Sequence, residues 1–197
     1  MTKIGVIVGA TREGRVTDKL ANWVAEQAGA IEGVETEVVD LRDYPMPLFD
    51  EAISPRYNPG RKPAVEVQKW LDKVTEFDGY IVVTAEYNRS MTGVLKNAID
   101  YLDYQMERKP AALVGHGTSG GAQAIANLRM ALPGVGVITV PQALYFTDRV
   151  GEAIDDKGML RAELEANPYG PKANVTAIVK SLKWYADALR LAAPQGE

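Results

Sequence analysis

The residues best suited to bind a small anion lie in residues 9–15, with the sequence Gly-Ala-Thr-Arg-Glu-Gly-Arg, between a β-branched apolar run and a helical pattern. Backbone amides at the start of a helix carry a partial positive charge, and such helix ends bind phosphate groups in many proteins. Four side chains would add hydrogen-bond donors, namely Thr11, Arg12, Arg15 and Thr17. The segment therefore predicts a site for a phosphate monoester.

The same segment does not match the loops that bind dinucleotides or nucleoside triphosphates. A dinucleotide loop has the pattern G-x-G-x-x-G, whereas Ala10 and Thr11 follow the first glycine here. A triphosphate loop ends in Gly-Lys-Ser or Gly-Lys-Thr, which is also missing. Considered alone, the segment is equally consistent with Arg12 and Arg15 being solvated surface charges.

Two further groups of polar and glycine residues each follow a short apolar run, one after residues 80–84 and one after residues 111–115. Their members are Glu86, Tyr87, Asn88 and Ser90 in the first group, and Gly117, Ser119, Gly120 and Gly121 in the second. Turns that allow close backbone approach, beside an aromatic side chain, suit a flat heteroaromatic ring with polar edge atoms. Turn geometry and packing explain either group equally well, but three such groups together favour a ligand.

The elements that must position these groups are short strands alternating with helices. Apolar runs predict strands at residues 3–9, 34–41, 80–84, 111–115 and 135–140, and helical spacing predicts helices at residues 16–28, 63–74, 95–102, 122–132 and 171–189. Four prolines make residues 43–62 irregular, and residues 141–168 are predicted to be irregular or to hold small extra elements. Such alternation predicts an α/β three-layer sandwich with a five-stranded parallel sheet. In the order 2-1-3-4-5 the three groups meet in one crevice at the carboxyl ends of the strands.

Composition narrows the class of protein further. The chain has 197 residues, 46% of them apolar, which predicts a single domain over residues 1–197. The net charge of −4, with interspersed charges, gives no basic face for nucleic acid and no polybasic patch for a membrane. Without cysteine there are no disulfides, thiolate nucleophiles or thiolate metal ligands, and we predict no metal site. The first apolar run is too short for a signal peptide or a membrane span, so we predict a cytoplasmic protein.

These motifs resemble those of the NAD(P)H-dependent FMN reductases of flavodoxin-like fold, a family that includes quinone, azo-dye and chromate reductases. The family motif Gly-Ser-x-Arg-x-Gly-Arg/Ser corresponds to residues 9–15. The motif Pro-Glu-Tyr-Asn-x-Ser-x-Pro-Gly-x-Leu-Lys-Asn-Ala-Ile-Asp corresponds to residues 85–100, and Tyr-Gly-x-x-Gly-Gly corresponds to residues 116–121. The similarity extends over most of the chain, and the second motif is specific.

The resemblance implies an oxidoreductase with FMN bound at the strand ends. The FMN phosphate would lie against the first group and the ring edge against the other two. The implied cofactor-binding residues are Thr11, Arg12, Arg15, Thr17, Glu86, Tyr87, Asn88, Ser90, His116, Gly117, Ser119, Gly120 and Gly121. NADPH or NADH would donate a hydride to FMN, and a quinone, free flavin or other small acceptor would then take the electrons in a ping-pong sequence. Because the flavin carries this chemistry, no catalytic side chain is expected.

The chain departs from the family pattern at four positions. Ala10 lacks a hydroxyl that the family uses near the phosphate, which Thr11 or Thr17 would have to replace. Ala85 and Thr92 stand where the family has prolines, which predicts a less rigid loop. His116 replaces a tyrosine, and a lone histidine at a strand end is more often a hydrogen-bonded structural residue than an acid or base.

The resemblance also implies a homodimer or homotetramer, in which residues 45–63 and the tyrosines Tyr101 and Tyr104 could contact a partner; packing within one chain explains them equally well. Three other functions stay open from the sequence. The protein could be an electron carrier that passes single electrons between proteins, a flavin-binding scaffold, or a reductase that releases FMN to a partner monooxygenase.

Overall fold

A five-stranded parallel sheet lies at the centre of the computed structural model, which describes residues 1–192. The strands are β1 (Thr2–Val8), β2 (Val34–Asp40), β3 (Gly79–Ala85), β4 (Pro110–His116) and β5 (Ile138–Phe146). Their order is β2-β1-β3-β4-β5, which confirms the predicted topology. The central strands β3 and β4 are buried along their whole length, whereas the edge strand β2 is partly exposed. This difference explains why the central strands are continuous apolar runs in the sequence.

Helices cover both faces of the sheet. They are α1 (Thr17–Gly29), α2 (Val65–Thr75), α3 (Gly93–Asp100), α4 (Ala122–Ala131), α5 (Val150–Ala153), α6 (Ala162–Ala166) and α7 (Pro171–Ala192). One hydrophobic cluster packs α1 and α7 against the sheet through residues such as Leu20 and Ile178. A second cluster packs α2, α3 and α4 against the other face through residues such as Trp70, Leu95 and Leu128. The result is the predicted three-layer sandwich.

The fifth strand differs from its prediction at both ends. A 3₁₀ turn occupies Leu132–Val135, so β5 begins only at Ile138 and then continues through Pro141 to Phe146. Ala111 pairs with Thr139 but Leu113 pairs with Ala143, so β5 contains two extra residues in a bulge beside Pro141. Proline is tolerated at such a place because the strand lies at the edge of the sheet. The prediction that residues 141–146 are irregular was therefore wrong, although α5 and α6 are small extra elements of the kind expected farther along.

The strands end level with one another at the carboxyl edge of the sheet. Val8 pairs with Val83, Ala85 with His116, and His116 with Phe146. Three connections therefore leave the sheet side by side: the first loop (residues 9–16), the second loop (residues 86–92) and the third loop (residues 117–121). In open parallel sheets, ligands bind at this edge.

The proline-rich segment between β2 and α2 has 3₁₀ turns at Leu41–Asp43 and Pro55–Tyr57 but no longer regular element. The guanidinium of Arg61 fastens it to the end of α3 by donating to the Tyr101 carbonyl at 2.7 Å and the Asp103 carboxylate at 3.2 Å. Within residues 1–192, no helix has both the length and the apolar character required to cross a membrane.

Candidate functional site

Hydrogen bonds at the carboxyl edge of the sheet join the first loop, the second loop and the end of β4, where the third loop begins. Arg12 Nε in the first loop donates to the Tyr87 hydroxyl in the second at 3.2 Å. Thr17 Oγ1, at the end of the first loop, lies 2.8 Å from His116 Nε2 at the end of β4. The Glu86 amide donates to the His116 carbonyl at 3.0 Å. The structure thus brings Arg12, Thr17, Glu86, Tyr87 and His116 of the predicted site together at this edge.

The first turn of α1 is open to an anion. Val16 precedes the helix and makes no side-chain cap, and although the Asp18 carboxylate accepts from the Lys19 amide at 3.0 Å, the amides of Thr17 and Asp18 have no acceptor within residues 1–192. Unpaired amides at a helix start attract negative charge through hydrogen bonding and the helix dipole. Arg12 lies beside this turn with an exposed side chain, and its only side-chain hydrogen bond within residues 1–192 is the one to Tyr87. These features are those that a phosphate group requires.

Arg15 has a different setting from Arg12. Its side chain is only 4% exposed and forms an ion pair with Asp40 at the end of β2. One Nη atom donates to Asp40 Oδ1 at 2.7 Å and to the Ala10 carbonyl at 2.5 Å, and the other donates to Asp40 Oδ2. The predicted contact between Arg15 and a phosphate gains no support from these bonds and stays a prediction.

Thr17 and His116 form a buried pair beneath the first loop. Thr17 is fully buried and His116 is 9% exposed. Burial, with a smaller contribution from the positive charge of Arg12, lowers the pKa of the His116 imidazole from 6.5 to about 4. His116 is therefore neutral at pH 7, and its hydrogen bond to Thr17 is the kind of contact expected of a structural histidine.

The second loop is a tight two-residue turn. The backbones of Tyr87 and Ser90 exchange both hydrogen bonds, at 2.9 and 3.0 Å, while Asn88 and Arg89 have φ values of 49° and 64°. Positive φ at both central positions is typical of a type I′ turn, and asparagine tolerates this conformation well. The Asn127 side chain supports the turn by donating to the Arg89 carbonyl at 3.1 Å.

Thr92 holds the second loop firmly where the family has a proline. Its hydroxyl donates to the Gly9 carbonyl and accepts from the Leu95 amide at 3.2 Å, so it both caps α3 and links the second loop to the first. A proline side chain cannot make either bond. These contacts run against the expectation that Thr92 leaves the loop less rigid.

The third loop is coiled closely against the end of β4. Gly120 and Gly121 have φ values of 64° and 74°, and a Cβ atom on Gly121 would lie 2.6 Å from the backbone nitrogen of His116. Only glycine fits there without displacing backbone. Glu86 Oε2 accepts from the Gln123 amide at 2.9 Å and so caps α4. Ser119 is exposed at the outer side of this loop.

Two residues of the site were missed by the sequence reasoning, Asp40 and Arg42. Asp40 lies at the end of the predicted second strand and Arg42 directly follows it, so a carboxylate and a guanidinium at the same edge of the sheet were available as a signal. Their importance depends on contacts with residues about thirty positions earlier in the chain, in the first loop.

Comparisons with known proteins agree with this geometry. The model of a family described as NADPH-dependent FMN reductase matches residues 2–151. An NAD(P)H-dependent FMN reductase of Schizosaccharomyces pombe is 29% identical over 184 residues, which are 84% of this chain and 92% of the relative. An NADPH azoreductase of Bacillus sp. is 34% identical over 143 residues, which are 71% of this chain and 74% of the relative.

A solved structure extends the similarity to the whole described fold. It is that of FerB, a flavoenzyme NAD(P)H:(acceptor) oxidoreductase from Paracoccus denitrificans. The two chains superpose with a TM-score of 0.74 at 27% identity, and the match covers 94% of this chain and 99% of FerB.

Proposed function

This chain belongs to the NADPH-dependent FMN reductase family, and we propose that it transfers electrons from NADPH or NADH, by way of bound FMN, to a small oxidised acceptor. The acceptor classes that fit best are quinones, free flavins and azo compounds. The observation that carries this proposal is the set of hydrogen bonds that joins the first loop and α1, the second loop, and the end of β4 at the carboxyl edge of the sheet.

The first loop and the start of α1 would hold the FMN phosphate. Arg12 supplies an exposed guanidinium, and the start of α1 supplies the amides of Thr17 and Asp18. Thr11 is half-buried in the same loop and could add its hydroxyl. Charge-assisted hydrogen bonds of this kind are about twice as strong as neutral ones.

The second and third loops would hold the ring of FMN. The type I′ turn exposes Asn88, and the third loop begins at Gly117, which lies beside Glu86 of the second loop. Backbone donors near the ring edge would favour negative charge there. Since Glu86 already caps α4, its carboxylate serves to fix the third loop, and its backbone faces β4.

When bound, FMN supplies the redox chemistry by accepting a hydride from the nicotinamide and passing electrons to the acceptor. The chain supplies orientation and electrostatics. It needs no side-chain acid or base, which agrees with the neutral, buried state of His116. We propose a ping-pong sequence in which the pyridine nucleotide leaves before the acceptor enters.

We further propose that residues 1–197 form one domain and that the protein acts as a homodimer or homotetramer in the cytoplasm. Support for assembly comes from large apolar side chains exposed in the segment before α2 and after α3. Leu48 and Tyr57 are both 83% exposed, and Tyr104 is 57% exposed. Such groups on one region often mark an interface.

Initial-rate kinetics test the proposed function. NADPH or NADH oxidation is measured with p-benzoquinone and with an azo dye, each with and without FMN. We expect FMN-dependent turnover and, when donor and acceptor are varied together, parallel double-reciprocal lines. Turnover no faster than with free FMN alone would contradict the proposal, and intersecting lines would contradict the ping-pong sequence.

A further inference from the structure

Two arginines hold three successive carbonyls of the first loop. Arg15 Nη1 donates to the Ala10 carbonyl at 2.5 Å. Arg42 donates from Nε to the Thr11 carbonyl at 3.1 Å and from Nη2 to the Arg12 carbonyl at 2.6 Å. The carbonyls of Ala10, Thr11 and Arg12 are thus directed towards the two arginines on the β2 side of the first loop.

Asp40 anchors both arginines. Its carboxylate accepts two bonds from the Arg15 guanidinium, and Oδ1 also accepts from the Arg42 amide at 2.9 Å. Burial by itself would raise the pKa of the Asp40 carboxyl, but the bonds from Arg15 and Arg42 outweigh it and the net effect lowers that pKa. Asp40 is therefore ionised at neutral pH and holds the guanidinium of Arg15 and the backbone of Arg42 in place.

The orientation of the carbonyls determines where the amides of the loop point. In a trans peptide the N–H is directed opposite to the C=O of the same peptide unit. The amides of Thr11, Arg12 and Glu13 therefore face away from the two arginines. Within residues 1–192 none of these three amides donates to a protein acceptor. They lie next to the uncapped start of α1.

We propose that Asp40, through Arg15 and Arg42, positions the first loop so that its amides converge on a phosphate monoester, and that this arrangement makes the site select FMN over riboflavin. The inference rests on the proposed function. The residues Asp40, Arg15 and Arg42 are positioning residues here. Arg15 acts through its hydrogen bond to the Ala10 carbonyl, on the side of the loop opposite to its amides. The dephosphorylated flavin would use only the second and third loops.

The test compares Asp40→Asn with the wild type in binding FMN and riboflavin, each measured by quenching of flavin fluorescence. We expect FMN affinity to fall by about tenfold or more, because a charged hydrogen-bond anchor is lost, while riboflavin affinity changes by less than about twofold. Asp43→Asn is the matched control, since it removes the same charge from an exposed neighbour, and it should leave both affinities unchanged.

The sign of the effect separates positioning from simple electrostatics. Removing a carboxylate near the site makes it more positive, which would tighten FMN binding if charge alone mattered. The positioning proposal gives weaker binding. Tighter or unchanged FMN binding would overturn it, and so would equal losses for FMN and riboflavin, which indicate a general structural defect.

A second variant covers the case in which Asp40→Asn does not fold. Arg42 is exposed, so Arg42→Ala should fold while losing the bonds to two loop carbonyls. Its control is Arg108→Ala, an equal charge change just before the amino end of β4. We expect FMN-selective weakening only in Arg42→Ala, and equal effects of the two variants would overturn the proposal. Failure of the proposed function itself is distinct, because it would appear as a wild type that shows no FMN-dependent oxidation of NADPH or NADH, whereas the positioning proposal is judged by the flavin affinities of the variants.

Discussion

Arg12 is the side chain of the first loop that is free to meet a phosphate, because it is exposed and has only the Tyr87 hydroxyl as a hydrogen-bond partner within residues 1–192. Replacing Arg12 with Ala should weaken FMN binding by about 1.5–3 kcal/mol, the usual value of a charge-assisted contact. Equilibrium titration with FMN measures this.

Arg12→Lys serves as the comparison for the Arg12 prediction, because it keeps the positive charge and a hydrogen-bond donor at the same position. It should have a much smaller effect on FMN affinity. If Arg12→Ala binds FMN as tightly as the wild type, the phosphate assignment is wrong.

His116 should make the stability of the protein dependent on pH. Its folded pKa of about 4 lies below the ordinary value of 6.5. As the pH falls through 6.5 the unfolded chain binds a proton that the folded chain does not, so stability decreases until the folded pKa is reached. Between pH 7 and pH 5 we expect a loss of about 2 kcal/mol in the free energy of unfolding, measured by urea denaturation.

The single histidine of the chain makes this prediction specific. His116→Gln can keep a hydrogen bond to Thr17 but does not titrate, so its stability should change much less over the same range. A wild-type loss that persists in His116→Gln would assign the pH dependence to other groups.

Residue types alone could identify which side chains of the site are donors but not which acceptors they meet. Arg12 and Arg15 look equivalent in the sequence, three positions apart in one loop. In the structure the two arginines differ, because Arg15 forms an ion pair with Asp40 at the end of β2 and Arg12 does not. That pairing depends on the sheet order, which brings distant residues together, and no local pattern reports it.

At the scale of elements, Thr92 connects the start of α3 to the end of β1. It is 1% exposed, and its hydroxyl serves both the Gly9 carbonyl and the Leu95 amide. Thr92→Val keeps the shape but leaves the Gly9 carbonyl without this donor. We expect a loss of about 1–3 kcal/mol in the free energy of unfolding, measured by urea denaturation.

Thr92→Ser is the matched control, since it keeps the hydroxyl and removes only a methyl group. It should retain most of the stability that Thr92→Val loses. If the two variants are equally destabilised, the methyl packing matters and the hydrogen bonds do not.

The strands show which secondary-structure elements could be predicted from sequence patterns and which could not. β1, β3 and β4 could be predicted because they are buried on both faces and read as unbroken apolar runs. The ends of β5 could not be predicted, because Pro141 is a strong signal against a strand. The strand tolerates this proline only because it lies at the edge of the sheet and contains a bulge opposite Ala111 and Leu113. These are properties of the sheet, not of the local sequence.

At the scale of the whole molecule, assembly is the main prediction. Leu48 and Tyr57 are each 83% exposed in the segment before α2, and large exposed apolar side chains often mark a protein–protein interface. Sedimentation equilibrium at micromolar concentration should give a dimer or tetramer, and Tyr57→Glu should shift the equilibrium towards monomer. A monomer at every concentration would contradict the prediction.

Most of the placement of the site at the strand ends follows from the topology once the strand order 2-1-3-4-5 is known. That order was predictable from alternating strands and helices together with the family motifs. The tight turn of the second loop and the carbonyl-holding role of Arg42 were not, because they depend on backbone conformation and on contacts between β2 and the first loop.

The measurement that tests the central claim most directly is a visible absorption spectrum of the purified protein with FMN, followed anaerobically by NADPH and then NADH. We predict a flavin spectrum perturbed by binding, and rapid bleaching by at least one of the two nucleotides. A bound flavin that neither nucleotide bleaches would contradict the reductase function, and an unperturbed spectrum would contradict the three-loop site itself.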